Sequence, residues 1–354
     1  MTTLTSSTSR RAARIRLDLA PPVAAAWLAG WGVLALVATL TGAGYPFGAN
    51  DPHSGGADLL RLVPVAVGAP LLAGLLLVGA VTALALSAPV RGPFRALLLG
   101  YGWALTFVLA VVVPDARVLV VLGYAPMLVL GAPFGWPPVD YAEIFTWPLF
   151  ARCAALVGGM LLAGALLAGQ RRATGACLAC GRDGHARGWT TPGSAARWGR
   201  WATWVAAAIP LTYAVTRMAW AAGIPLGISR EFLDEMQETG LVWAGAGLAA
   251  FATVGAVLTV GLVRPWGERF PRWLVGLAGR RVPIALAVVP AGLVALSVTA
   301  ASLGLLSTPQ FWEHGLSLTT APMLLWPLWG VALGAAALAY HLRRRGACRR
   351  CGRD

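Results

Sequence analysis

The chain contains no lysine; all 28 of its basic residues are arginine. With the excess of alanine and glycine, this reads as the mark of a GC-rich coding sequence rather than as a physical signal. Charge of both signs is scarce. Only 12% of the 354 residues are charged, against about 25% in soluble domains. With 58% hydrophobic residues and a mean hydropathy of +0.69, that scarcity excludes an ordinary water-soluble enzyme. Histidine is limited to four residues and cysteine to five. The chain has no His-Glu-x-x-His metalloprotease motif, no Ser/His/Asp set and no glycine loop of the phosphate-binding kind. Four of the five cysteines form two Cys-x-x-Cys pairs flanked by arginine, and Cys153 stands alone in an apolar segment. A secreted disulfide framework would scatter its cysteines through loops, so this usage fits a reducing compartment.

What is present is apolar length. Crossing a bilayer takes about 20 apolar residues, and eight segments qualify: Val23–Thr41, Leu62–Ser87, Ala96–Val113, Ile144–Ala168, Trp201–Ala222, Gly240–Val263, Pro283–Leu306 and Ala321–His341. The expected fold is all-α, a polytopic transmembrane helical bundle. Arginine bias gives its orientation. With the N-terminus inside, all arginines but Arg61, Arg117, Arg152, Arg217 and Arg230 fall on inner segments. Acids lean outward, with Glu231, Asp234, Glu235 and Glu238 in one loop. A bacterial inner membrane with both termini cytoplasmic is the expected setting. The net charge of +14 then faces anionic lipid headgroups and not nucleic acid. Val118–Phe134 is apolar but broken by Gly123, Pro126, Gly131 and Pro133. It reads as an outer re-entrant or interface-lying segment, because a true span there would put the first cysteine pair outside. Met1–Ser9 reads as disordered, and Arg10–Leu19 as a basic flank or a short surface helix.

One nine-residue string occurs twice. Gly175-Ala176-Cys177-Leu178-Ala179-Cys180-Gly181-Arg182-Asp183 returns as Gly346-Ala347-Cys348-Arg349-Arg350-Cys351-Gly352-Arg353-Asp354. Two further strings recur in the same order. Ala43-Gly44-Tyr45-Pro46-Phe47-Gly48 pairs with Ala222-Gly223-Ile224-Pro225-Leu226-Gly227, and Trp147-Pro148-Leu149 pairs with Trp326-Pro327-Leu328. The pattern implies a tandem four-plus-four duplication: a cytoplasmic segment 1–22, a first repeat 23–183, a linker 184–200 and a second repeat 201–354. Four spans per repeat is an even number, so the repeats lie parallel, related by an axis along the membrane normal.

That arrangement brings the two Cys-x-x-Cys pairs to one face. A Cys-x-x-Cys followed by glycine forms a tight knuckle, and two knuckles complete a tetrahedral four-thiolate site. Cys177, Cys180, Cys348 and Cys351 are therefore candidate metal ligands, with zinc as the cofactor and His185 as an alternative ligand. Two separate sites, a redox dithiol, an iron–sulfur centre and knuckles without metal remain alternatives. Arg152 lies deep in the fourth span, where ionisable residues face a bundle interior or a cavity. It is a candidate pathway residue, the alternative being a bond to a carbonyl or an outer acid. Arg217, nearer a helix end, is a weaker candidate that could snorkel to the interface. The acidic loop Ile228–Thr239 reads as a solvated helical cap, with a cation-collecting mouth as its alternative. Metal binding by His53 with Asp51 and Asp58, or by Glu313 with His314, is a further idea on the outer loops.

The inner loop Arg264-Pro265-Trp266-Gly267-Glu268-Arg269-Phe270-Pro271-Arg272-Trp273, with Gly279-Arg280-Arg281-Val282-Pro283 and the cysteine endings, resembles multi-pass membrane proteins of high-GC actinobacteria. Ile224-Pro225-Leu226-Gly227-Ile228-Ser229 is similar too. The resemblance spans most of the second half and carries no established activity, so it assigns no functional residue. The function expected from the residues is a non-enzymatic sensor or assembly module presenting a cytoplasmic face to a protein partner. A transporter with a path between the repeats is the alternative, and a membrane-embedded lipid enzyme the third reading.

Overall fold

On the first long helix, α1 (Ala20–Thr41), the buried positions are Ala24, Ala25, Leu28, Gly32 and Ala35, while Val33, Leu34, Leu36, Val37 and Leu40 are exposed. Small residues face the neighbouring helices and large aliphatic ones face out. This is the pattern of helices packed in an apolar solvent, where close backbone approach replaces hydrophobic collapse. The computed structural model describes residues 17–53, 58–88, 90–134, 140–184, 188–313 and 320–353. His185, His314 and the stretch before residue 17 lie outside the described residues.

Among the described residues the chain is helical, apart from one isolated bridge between Arg269 and Arg281. After α1 come α2 (Val65–Ala85), α3 (Gly92–Phe107, continued by a π-turn Val108–Val112), α4 (Ala116–Gly131), the short α5 (Tyr141–Ile144) and α6 (Trp147–Ala173). The chain continues through α7 (Pro192–Ala221), α8 (Arg230–Glu238), α9 (Leu241–Gly261), α10 (Ile284–Leu306), the short α11 (Pro309–Glu313) and α12 (Trp326–Arg344). Proline stands in the first turn of α1, α3, α6, α7 and α12, where its missing N–H costs no hydrogen bond. The recurring Trp-Pro-Leu strings are the opening residues of α6 and α12.

Among the described residues, seven helices are long and apolar enough to cross a membrane: Ala20–Thr41, Val65–Ala85, Gly92–Val112, Trp147–Ala173, Leu241–Gly261, Ile284–Leu306 and Ala321–Arg344. They coincide with seven of the eight expected spans. The eighth, Trp201–Ala222, falls within α7, a 30-residue helix. Arg217, Tyr213 and several tryptophans make it less apolar than the seven. The segment expected to re-enter is α4 with the 3-10 turn that follows, bent by 48° between Ala125 and Met127.

Contacts between the helix termini define two ends. At one, Arg172 Nη1 reaches Leu86 O after α2, Arg343 Nη2 reaches Leu262 O after α9, and Arg344 Nη1 reaches Val282 O before α10. Both Cys-x-x-Cys pairs lie here. At the far end, Arg152 Nη1 donates to Val113 O after the π-turn, and Arg61 Nη1 donates to Ser307 Oγ after α10. The helices α1, α2, α3, α6, α7, α9, α10 and α12 alternate between these ends. α4 starts at the far one, where Asp115 precedes it beside Arg152, and midway along it Tyr124 Oη lies 3.4 Å from Ala244 O in the first turn of α9.

Packing follows the same scheme twice. α1 packs on α2 and α6, and α6 packs on α3; α7 packs on α9 and α12, and α12 packs on α10. Across the middle, α10 meets α4 and the π-turn.

Candidate metal centre and a buried ion-pair cluster

Each cysteine pair is held by a turn with identical wiring. In the first, Cys177 N donates to Arg182 O at 3.0 Å and Gly181 N donates to Cys177 O at 2.7 Å. In the second, Cys348 N donates to Arg353 O at 2.9 Å and Gly352 N donates to Cys348 O at 2.7 Å. Gly181 and Gly352 take φ of 73° and 72°, a left-handed conformation that glycine adopts without a Cβ penalty. The turns are cross-tied as well. Arg182 Nη1 donates to Arg353 O at 2.9 Å, and Arg353 Nη1 returns a bond to Arg182 O at 3.0 Å.

The result is one cluster. Cys177 Sγ lies 3.9 Å from Cys348 Sγ, Cys180 Sγ lies 3.6 Å from Cys351 Sγ, and all four sulfurs fall within 4.8 Å of one another. A tetrahedral ion with metal–sulfur arms of about 2.3 Å requires sulfur–sulfur edges of about 3.8 Å. The four cysteines can therefore hold a metal ion. Hydrogen bonds from the backbone N–H groups of Arg350 and Cys351 pull the Cys348 thiol down to about 6. Those of Cys180 and Ala179 lower Cys177, and burial pushes Cys180 up to about 11. Four thiolates so close repel, and a cation between them removes that penalty. All four cysteines named from the sequence are brought together. Cys153 is not among them; it lies in α6.

At the far end the structure assembles a second cluster. Arg152, on the second turn of α6, is completely buried. Its Nη2 lies 2.6 Å from Asp58 Oδ2 and 3.0 Å from Asp51 Oδ2, and its Nε lies 3.3 Å from Asp115 Oδ2. Phe47 stacks on the guanidinium, 5.0 Å from its ring centre. Arg117 closes the set through Asp115 and Asp51. Asp58 also accepts from Leu60 N and Gly48 N, which fixes the loop that carries it. Burial opposes ionisation of Asp51, but the hydrogen bonds from Arg117 and Arg152 outweigh it and hold the carboxyl below its ordinary range.

Arg152 had two readings from the sequence, a pathway residue or one bonded to a carbonyl or an outer acid. It is sealed by three carboxylates and a carbonyl, and the outer-acid alternative describes it. A cavity of about 680 Å³ nearby is lined by Phe47 and Ala151, and Arg152 is not part of its wall. Of the residues considered for an outer metal site, Asp51 and Asp58 are both paired with arginine, and the His53 side chain is 53% exposed. Asp115 and Arg117 were not singled out from sequence. The available signal was that a deep arginine and several acids share one end of the first four helices. The loop Ile228–Thr239 does form a helix, α8, capped by Ser229 Oγ accepting from Phe232 N, with its acids exposed and Leu233 buried.

Comparison with protein-family models, curated proteins and solved structures gives no match. The class defined by fold and site is thus a helical bundle with seven candidate membrane spans and one four-cysteine cluster at one end.

Proposed function

We propose that the chain is an integral membrane protein of two parallel repeats, clasped on the cytoplasmic side by one zinc ion shared between them. Cys177 and Cys180 come from the first repeat, and Cys348 and Cys351 from the second. The observation that carries the reading is the convergence of four sulfurs from pairs 171 residues apart. Duplication is supported by the matched knuckles and the twice-used packing scheme. It is supported also by Gly44 and Gly48 against Gly223 and Gly227, all four with positive φ. Arginine bias supports the cytoplasmic placement of the cysteine end. A single ion suits the short sulfur separations better than an iron–sulfur cluster, which needs its ligands spread apart to hold several atoms. Four cysteines leave no open position for a substrate, so the metal has a structural role.

The activity that follows is that of a non-enzymatic module, a sensor or an assembly partner that offers a metal-stabilised cytoplasmic face. Arg91, Arg95 and Arg172 line a cleft of about 550 Å³ on that face, which suits anionic headgroups as the lipid partner. The test is elemental analysis of the purified protein. One zinc per chain, lost in Cys348→Ser although Cys177 and Cys180 remain, supports the shared clasp. Retention of the metal in that variant would refute sharing.

A further inference from the structure

Arg217 is the second arginine placed deep in the far end, and its surroundings differ from those of Arg152. Its guanidinium lies over the Trp220 ring at 4.0 Å and the Tyr213 ring at 4.8 Å. The rings fix its plane and supply no hydrogen-bond acceptor. Nη1 is buried and has no hydrogen-bond partner. Among the described residues no carboxylate pairs with it. A buried guanidinium donor left unpaired is costly, which makes this nitrogen a donor for which an anion would supply the acceptor.

Arg217 belongs to the wall of a cavity of about 370 Å³. Trp220, Ile228, Phe232, Met236, Val242 and Gly245 supply much of the rest, and no acid lines it. The acids of α8 lie on its exposed face, while Phe232 and Met236 turn to the cavity. A second source of positive potential converges there. α9 begins at Leu241 and Val242, both in the wall, with no side-chain cap and no acid in its first turn. The positive end of a 21-residue helix therefore lies beside the same space. We propose that this cavity binds the head of an amphiphilic anion, a phosphate or carboxylate carried on an apolar chain. A small hydrated anion would surrender its water to an apolar wall, whereas an attached chain gains from that wall. The site is independent of the metal centre, which lies at the other end of the bundle.

The test is calorimetric titration of the full chain in phosphatidylcholine nanodiscs with decyl phosphate, using empty nanodiscs as the blank. Decanol and inorganic phosphate serve as the uncharged and chainless controls. The expected result is one saturable site, with both controls at least about tenfold weaker. Arg217→Gln should weaken decyl phosphate at least about tenfold, and Arg217→Lys less. A Cβ at Gly245 would stand 3.5 Å from Arg217 Cδ, so Gly245→Leu fills the cavity while keeping the charge, and should also abolish binding. Both variants are read only after gel filtration shows a monodisperse protein. Repeating the titration in phosphatidylglycerol nanodiscs separates the sources. A lost signal means that bilayer lipid already fills the site, and an unchanged one means that a free amphiphile does; either agrees with the proposal. No saturable site in phosphatidylcholine, equal binding of decanol or inorganic phosphate, or unchanged binding by Arg217→Gln or Gly245→Leu would overturn it.

Discussion

The two ends of the bundle carry clusters of opposite completeness. At the far end, three carboxylates meet two guanidinium groups, and every member comes from residues 51–152. Every charged member of that cluster has an ion-pair partner within it, although Arg152 Nε meets Asp115 without a hydrogen bond. At the cysteine end, four like groups from the two halves of the chain are drawn within 4.8 Å, with no cation of the chain between them. A cluster that compensates its own charge has a structural role, and one that gathers like groups without compensation is shaped for something added. The comparison separates a buried arginine that looks functional from cysteines that look merely repeated. Arg217, with an unpartnered nitrogen, belongs with the second kind.

The comparison is sharpened most by Arg152→Met. Removing a fully buried guanidinium leaves Asp58 without an arginine and Asp51 and Asp115 with Arg117 alone, and should cost about 3–5 kcal/mol in detergent unfolding. Metal content should be unchanged; joint loss of metal would mean that the ends are coupled. Stripping the proposed metal with a chelator should cost slightly less at the other end, about 4 kcal/mol or under for metal held at a thousandfold its Kd. Unchanged melting after verified removal of metal would break the contrast.

Acid should act on the far end by a known sign. The Asp51 carboxyl is held below its ordinary value. Its contribution is complete above the unfolded pKa of about 3.9 and fades as pH falls through the lower folded value. Melting curves between pH 6 and 3 should show a decline that Asp51→Asn flattens. The smallest effect is expected for Arg217→Met. With no ion pair to lose, it should change stability by less than about 1 kcal/mol. A loss as large as that of Arg152→Met would show that Arg217 is compensated from within the chain.

Much of this was legible in the sequence, for identifiable reasons. Apolar runs report spans directly, because length and composition alone decide membrane compatibility. The bend in α4 fits a stretch interrupted by Gly123, Pro126 and Gly131. The doubled cysteine string carried its geometry with it, since Gly181 and Gly352 dictate the turn. The ion-pair cluster was not legible to the same degree. Asp51 and Asp58 stand 101 and 94 residues from Arg152, and a loop aspartate folded onto a helix looks in sequence like one exposed to water. The crossed Arg182–Arg353 bonds were hidden similarly, since arginines are common just beyond the ends of apolar helices. In α7 the expected span Trp201–Ala222 is the greater part of a longer helix whose first residues, Pro192–Arg200, read as linker.

The most direct test of the shared centre is X-ray absorption at the zinc edge on the purified wild-type protein. The account predicts four sulfur neighbours at about 2.3 Å and no nitrogen or oxygen in the shell. Two sulfurs completed by lighter atoms would mean that each knuckle binds alone, and would contradict it.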